Sequence, residues 1–555
     1  MINLKEELIS KISELLNVEK ESIKVEYPKD KSMGDYAIPC FQFAKVLHKS
    51  PVDIASELME KLPYKSNAVS GYLNIFMDKK EIAKSVISKV LEENENYGNN
   101  SYGKGKNIVI EYSSPNIAKP FGMGHLRSTV IGQALNNISK KCGFNVTSIN
   151  YLGDYGTQFG KLIYAYKRWG NEEALKENAI NELKRVYVLF HEEAEKDPSL
   201  DEEGRKWFKK LEDNDEEAMS YWKWFKDESI KEFDKTYNLL GINQFDSYEG
   251  ESYYKDKMQS IIDEMSDKNL LKISEGATII ELDGLTPALI KRSDGASLYI
   301  TRDIAALIDR KRRYNFDEIL YVVGNEQSLH FDQVKQVIKK MGYDFYNEVE
   351  HIGFGMLLQD GKKMSTRHGK SVVLMDVLNE SIDLAKKYIL EKNPNIDNIN
   401  EVSEKIGVGA VIFNDLKNYR INDIEFNLED TLRFEGNTGP YLQYTYARIN
   451  SLLSNKHNIE VSYDTIDINE DKWNLIWSLY KFEENIIQAK ENNDPSIIAK
   501  YLLDLASDFN KFYAHEKIID QDENYAEFKL SLSEAVSIVI KNGLSLLNIG
   551  VINKM

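Results

Sequence analysis

Two stretches of the chain carry residue types suited to phosphate chemistry. The first, residues 106–135, reads KNIVIEYSSPNIAKPFGMGHLRSTVIGQAL. Gly122 and Gly124 bring bare backbone to the start of an apolar-periodic helix, and a helix N-terminus offers oriented N–H groups to an anion. His125 and Arg127 stand in that first turn and add donors suited to phosphate or ribose oxygens. The second stretch, residues 361–369, is a glycine-bounded loop made basic by Lys362, Lys363 and Arg367, with Lys370 just beyond. Cations on such a loop neutralise charge on a phosphate under attack and on its leaving group. The HGKS inside it looks like a P-loop fragment, but the glycine needed five residues before Gly369 is Met364, so that reading fails.

The elements that must position these residues follow from spacing. Ile108, Val109 and Ile110 are consecutive β-branched residues and predict a buried strand over 107–112, ended by Pro115. Leu126, Val130, Ile131 and Leu135 share one face of the helix that follows. Residues 145–161 give a second strand and a glycine-punctuated turn, 153–160, containing LGDYGTQ. Parallel strands joined by helices hold ligands at their carboxyl ends, so this turn is a second candidate wall. Residues 171–240, rich in Glu, Lys and aromatic residues, read as an inserted helical layer. ATIIEL and SLYIT then flank LIKRSDG, whose Ser293-Asp294-Gly295 is a hairpin signal. In the second half of the fold Tyr299 and Asp303 lie at i and i+4, and a buried strand over 319–323 ends in Gly324, with Gln327 and His330 beyond it.

The flanks read differently. Leu4, Leu8, Ile12, Leu15 and Leu16 follow helical spacing; residues 33–51 read as a turn and a second helix; residues 71–77 read as a strand with Tyr72, Asn74 and Phe76 on one face. A polar run at 92–106 is a linker. Residues 376–430 read as helical and polar, and three apolar-striped helices follow, one starting at Asp494-Pro495.

Composition bounds the class. A chain of 555 residues predicts three or four domains, and 42% hydrophobic with 29% charged residues is ordinary globular composition. No apolar run is long enough to span a membrane, and the charged N-terminus lacks the apolar centre of a signal peptide. Cys40 and Cys142 alone supply neither a disulfide framework nor a four-cysteine zinc site. A cytosolic protein is expected. The net charge of −18 argues against a small basic nucleic-acid module, though a large acidic protein can still present a basic groove.

GHLRS after SPNIAKP resembles the first signature of class I aminoacyl-tRNA synthetases, in the form seen in arginyl-tRNA synthetases. The family's His-x-Gly-His stands here as Gly122-Met123-Gly124-His125, without the first histidine. KMST at 363–366 resembles the second signature, Lys-Met-Ser-Lys, with Thr366 in place of the second lysine. The resemblance implies that a lysine before the first signature compensates, and Lys119 stands there. It makes Lys119, His125 and Lys363 the expected catalytic residues. It puts ATP on Gly122, Gly124, His125, His330, Met356, Lys363, Met364 and Ser365.

A guanidinium is best held by carboxylates in fork geometry. The resemblance puts Asp303 and Tyr299 on the guanidinium of arginine with Glu111, and Asn116 and Gln327 near its α-amino group, with Ser114 alongside. GDYA and YLN resemble a family domain that contacts the tRNA D-loop, which brings Tyr72 and Asn74 to tRNA. The C-terminal helices resemble its anticodon-binding bundle, with Tyr441, Tyr444, Arg448, Tyr513 and Met555 as candidate contacts.

The expected architecture is therefore a multidomain α/β protein. An N-terminal α+β domain (1–105) precedes a Rossmann-like parallel-sheet catalytic domain (106–375) with a helical insertion at about 165–270; a helical connection (376–430) and an all-α anticodon-binding bundle (431–555) follow. The implied substrates are L-arginine, ATP with Mg²⁺ and tRNA(Arg); the implied state is a monomer without a metal site of its own, needing bound tRNA before it activates arginine. Another adenylate-forming enzyme of the same fold would explain GHLRS and the basic loop, but not Glu111, Tyr299, Asp303 and Gln327 together. A silent tRNA-binding paralogue would explain both departures from the signatures, but not the retained Lys119, His125 and Lys363.

Overall fold

The computed structural model describes residues 4–554 except 243, 292–298, 365, 368–369, 455, 457–458 and 520, with backbone alone at 31, 366–367 and 370–371. Ser365, Met555 and the Ser293-Asp294-Gly295 hairpin signal lie outside the described residues. The chain divides into two units: residues 98–451 with 481–507 and 539–555, and residues 1–97 with 452–480 and 508–538. The C-terminal helical residues, expected as one bundle from 431, are shared between the two.

In the larger unit the β-branched run forms the centre of the strand Asn107–Glu111, fully buried as strands covered on both faces are. It pairs in parallel with Asn145–Ile149 on one side and with Glu318–Tyr321 on the other. A fourth parallel strand, Val349–His351, lies beyond Glu318–Tyr321. The chain thus first winds one way from Asn107–Glu111 and later the other. The crevice at the carboxyl ends of the two strands flanking that reversal is where open parallel sheets bind ligands.

The helix Leu126–Lys141 follows the first strand and buries the four predicted apolar residues. The inserted layer consists mainly of Thr157–Trp169, Ala179–Lys196, Ser199–Glu212 and Glu216–Leu239, with Phe159, Leu162, Phe190 and Phe225 buried in it. Asp154, in the LGDYGTQ turn, ties this layer down: it accepts from Lys226 Nζ at 2.7 Å and from the Ser252 N–H at 2.8 Å.

Beyond the fourth strand, Leu357–Gln359 and Lys362–Lys363 form a hairpin. Its turn residues Asp360 and Gly361 have φ of +54° and +71°, the left-handed pair that a type I′ turn requires. Ile424–Glu425 adds a parallel edge to this hairpin. Of the two long helices between them, Leu374–Lys392 and Ile399–Leu416, the second departs from the polar character expected of 376–430: it is buried throughout 406–416. Its Val402, Ile406 and Ala410 pack with Ala385 and Ile389 of the first.

The smaller unit holds a three-stranded antiparallel sheet with Tyr72–Phe76 between Tyr36–Pro39 and Lys65–Val69. Residues 33–51, read as a turn and a helix, thus also contain a strand. The helix Leu4–Leu16 buries Leu4, Leu8, Ile12 and Leu16 and leaves Leu15 exposed. Asp35 of GDYA accepts from the Trp473 indole N–H at 2.7 Å and from the Met77 N–H at 2.8 Å. Tyr36 beside it meets the Trp477 ring edge-on at 5.3 Å. Asp35 therefore joins the sheet to the helix Glu470–Tyr480. Asp35→Ala leaves both donors unpaired and is expected to lower the unfolding free energy of this unit by about 2–3 kcal/mol, read by denaturant titration of tryptophan fluorescence. No helix among the described residues is long and apolar enough to cross a membrane.

Candidate active site

Just past the carboxyl end of Glu318–Tyr321 lies a cavity of about 240 Å³. Met123, Gly124 and Arg127 of the first signature line it, as do Val323, Gly324 and Gln327, and so do Met356, Lys363 and Met364 around the hairpin. Gly124, Met356, Lys363 and Met364, all expected at the nucleotide, are thus brought together around one space, and Gln327, expected on the arginine side, joins them.

The first signature is also bound through backbone to the chain that follows the basic loop. The Met123 N–H donates to the Val372 carbonyl at 3.0 Å, and the Leu374 N–H to the Phe121 carbonyl at 2.9 Å. A Cβ at Gly122 would lie 3.2 Å from the Val372 oxygen. A side chain at this position would need the chain returning from the basic loop to give by a few tenths of an ångström.

His125 Nδ1 accepts from the Gly122 N–H at 3.2 Å. Burial lowers the pKa of this imidazole, the Gly122 bond opposes that, and the Lys119 charge adds to the lowering. A neutral ring accepting at Nδ1 carries its proton on Nε2, which makes that atom a donor. Lys119 is exposed. Lys363 Nζ lies 3.4 Å from Glu326 Oε1, with both side chains exposed; such pairs contribute little and release their partners readily.

Between the first strand and the first signature the chain runs through an unusual backbone. Ser113, Ser114 and Ala118 all have positive φ, at 72°, 50° and 60°. Strain of this kind persists where surrounding contacts impose it, often at functional sites. Here the Ser113 N–H donates to Ser128 Oγ, the Ser114 N–H to Asn150 Oδ1 and the Ala118 N–H to Ser229 Oγ. Ser114 Oγ is buried without a hydrogen-bond partner. Asn116 is exposed and pairs with Gly153 through an isolated parallel bridge.

The two expected carboxylates have different surroundings. Glu111 is buried and paired with Arg310, whose guanidinium lies 5.1 Å from the Tyr151 ring centre and 5.8 Å from those of Tyr254 and Tyr321. Burial raises the Glu111 carboxyl above its ordinary range, against the pull of Arg310. Asp303 remains partly open: His330 Nε2 lies 2.6 Å from one oxygen and the Tyr151 hydroxyl 3.4 Å from the other. His330 faces Asp303 and is not among the residues lining the cavity. Tyr299 is exposed, its ring 5.5 Å from the Arg302 guanidinium.

Tyr151, Arg310 and Glu249 were not singled out from sequence. Arg310 had a signal, because it stands seven residues after Asp303 on the helix Tyr299–Tyr314 and so shares its side. Glu249, which binds Arg313, had none.

Arg127, which lines the cavity, is also held by a buried carboxylate. Its Nε lies 3.1 Å from Asp415 Oδ2 and its Nη1 donates to the Asn422 carbonyl at 2.8 Å. Both charges are buried. Asp415→Ala strands the Arg127 charge and is expected to cost about 3–5 kcal/mol, read as a fall in the thermal midpoint of the chain.

Among the candidate tRNA contacts, Tyr72 is exposed whereas Asn74 is only 4% exposed. Tyr441 and Arg448 are half-buried; Tyr444 and Tyr513 are exposed. Arg448 lies 4.8 Å over the Tyr444 ring.

The family model described as "tRNA synthetases class I (R), catalytic domain" matches residues 86–428. The "Arginyl tRNA synthetase N terminal domain" matches residues 3–77, and the "DALR anticodon binding domain" residues 442–555. The chain is 50% identical to the arginine–tRNA ligase of Enterococcus faecalis over 559 residues, 99% of each chain. To that of Exiguobacterium sibiricum it is 48% identical over 550 residues, 98% of each. The arginyl-tRNA synthetase structure of Plasmodium falciparum, 26% identical, matches with a TM-score of 0.79 over 99% of this chain and 98% of that one. The fold is also that of the Thermus thermophilus arginyl-tRNA synthetase, at a TM-score of 0.85 over the whole of both chains and 24% identity. The catalytic-domain match spans more than half the chain and the relatives are about half identical over nearly their full length, so the chain belongs to the arginyl-tRNA synthetase family.

Proposed function

We propose that this arginine–tRNA ligase activates L-arginine with ATP at the cavity beside Gly124 and Lys363, and then charges tRNA(Arg). The arginine carboxylate attacks the α-phosphate, pyrophosphate leaves, and arginyl-adenylate forms. The ribose 2′-hydroxyl at the 3′ end of tRNA then attacks the arginyl carbonyl and AMP leaves. No side-chain nucleophile is needed, so the chain contributes position and charge.

The observation that carries this reading is the cavity lined by Met123, Gly124 and Arg127 of the first signature together with Lys363 and Met364 of the second. His125 Nε2–H donates to a phosphate or ribose oxygen, while Lys119 and Lys363 neutralise the α-phosphate and the departing pyrophosphate. Mg²⁺ arrives with the ATP phosphates and shields their charge. Asp303 takes the guanidinium of arginine; Ser114, Asn116 and Gln327 serve its other polar groups, and Glu111 and Tyr299 complete the surroundings. Exposed Tyr72 and Tyr444, with Arg448, offer rings and charge to unpaired bases. In this reading the chain works as a cytoplasmic monomer and activates arginine only with tRNA bound.

The test is charging of bulk tRNA by the purified chain with labelled arginine, ATP and Mg²⁺, followed by nuclease digestion. Label released as aminoacylated 3′-terminal adenosine is the expected result; label that never enters tRNA would refute the reading.

A further inference from the structure

The Asp303 carboxylate is gripped from two sides, by His330 Nε2 at 2.6 Å and the Tyr151 hydroxyl at 3.4 Å. A carboxylate only accepts, so both partners donate, and each oxygen keeps a lone pair for a bidentate guanidinium. Glu111 is already matched by Arg310, and Arg302, next to Asp303, is matched by Glu251 at 2.9 Å. Among the described residues Asp303 forms no ion pair with a lysine or arginine. It is therefore the carboxylate of this group left to balance one positive charge from a substrate. His330 lies in the first turn of the helix Ser328–Lys340, directly after Gln327 at the cavity rim.

We propose that His330 is a positioning residue for arginine recognition, holding the Asp303 carboxylate in the orientation that receives the guanidinium, and is not a nucleotide ligand. This assignment rests on the reading that Asp303 takes the guanidinium. Its first consequence is a split between the two substrates. His330→Ala removes the short hydrogen bond and lets Asp303 rotate, so the KM for arginine rises about tenfold while the KM for ATP stays within about twofold. His330→Gln keeps a donor at the equivalent Nε2 and restores the arginine KM to within about threefold of the unaltered chain. A purely structural histidine would not distinguish alanine from glutamine in arginine KM alone.

The experiment is ATP–pyrophosphate exchange with tRNA present, titrating arginine and ATP separately for the unaltered chain and each variant. His330→Leu, which fills the space without donating, carries the same expectation should the alanine variant fail to fold. A rise in ATP KM with arginine KM unmoved would overturn the assignment in favour of a nucleotide ligand. Unchanged KM values for both substrates in the alanine or leucine variant would overturn it as well, as would a glutamine variant no better than alanine. Exchange by the unaltered chain that does not depend on arginine would instead sink the functional reading itself, so the two failures are distinguishable.

Discussion

Asparagine in place of Asp303 is expected to raise the KM for arginine about 10²- to 10³-fold, with the KM for ATP within about twofold. The side chain keeps its size and still offers one acceptor, but the negative charge is gone. Leaving a buried or half-buried cation without its counter-charge costs about 3–5 kcal/mol, and about 1.4 kcal/mol is tenfold. Glu111 cannot take over, because its charge is committed to Arg310. Steady-state exchange at varied arginine reads the effect directly. An arginine KM that stays put would move guanidinium recognition elsewhere.

Lys363→Ala acts on the other substrate and on rate. Removing one preorganised donor from a developing charge costs about 10²- to 10³-fold in kcat, and the same loss is expected here for the activation step. The KM for arginine is expected to change little. The lysine stands on a tight hairpin yet, among the described residues, pairs only with Glu326, at 3.4 Å and in the open, so little must be broken for it to swing onto phosphate. Single-turnover formation of arginyl-adenylate separates this from an effect on tRNA. A variant with kcat unchanged would leave Lys363 as a surface lysine of the hairpin.

Much of this was legible in the chain because local pattern and tertiary role coincide. Three consecutive β-branched residues at 108–110 belong to a strand covered on both faces, and the apolar face of Leu126–Lys141 is the one it buries. Other elements had no such signal. Val349–His351 is three residues long and completes the sheet without an alternating pattern. Tyr36–Pro39 is a strand because Tyr72–Phe76 supplies its ladder, and a proline at its end disguised it. The helix Ile399–Leu416 reads as part of a polar connection, yet its burial comes from partners on both sides of it in the chain, such as Ala385 and Leu432.

The site divides in the same way. Gly124 and Lys363, which line the cavity, could be singled out because a motif fixes their neighbours as well as themselves. For Arg127, which lines the cavity, nothing in the sequence pointed to the buried carboxylate that also holds it. Its partner, Asp415, is 288 residues away. His330 and Arg310 illustrate the same limit, since both act on carboxylates brought to them by the fold.

The most direct test of the central claim is arginine-dependent ATP–pyrophosphate exchange by the purified chain, with and without bulk tRNA and with lysine as control. Exchange is predicted with arginine and tRNA together, and neither with lysine nor without tRNA. Exchange with arginine alone would remove the need for tRNA but keep the activation chemistry. Absence of exchange in every mixture, with tRNA still bound, would contradict the account and leave a protein that holds tRNA without charging it.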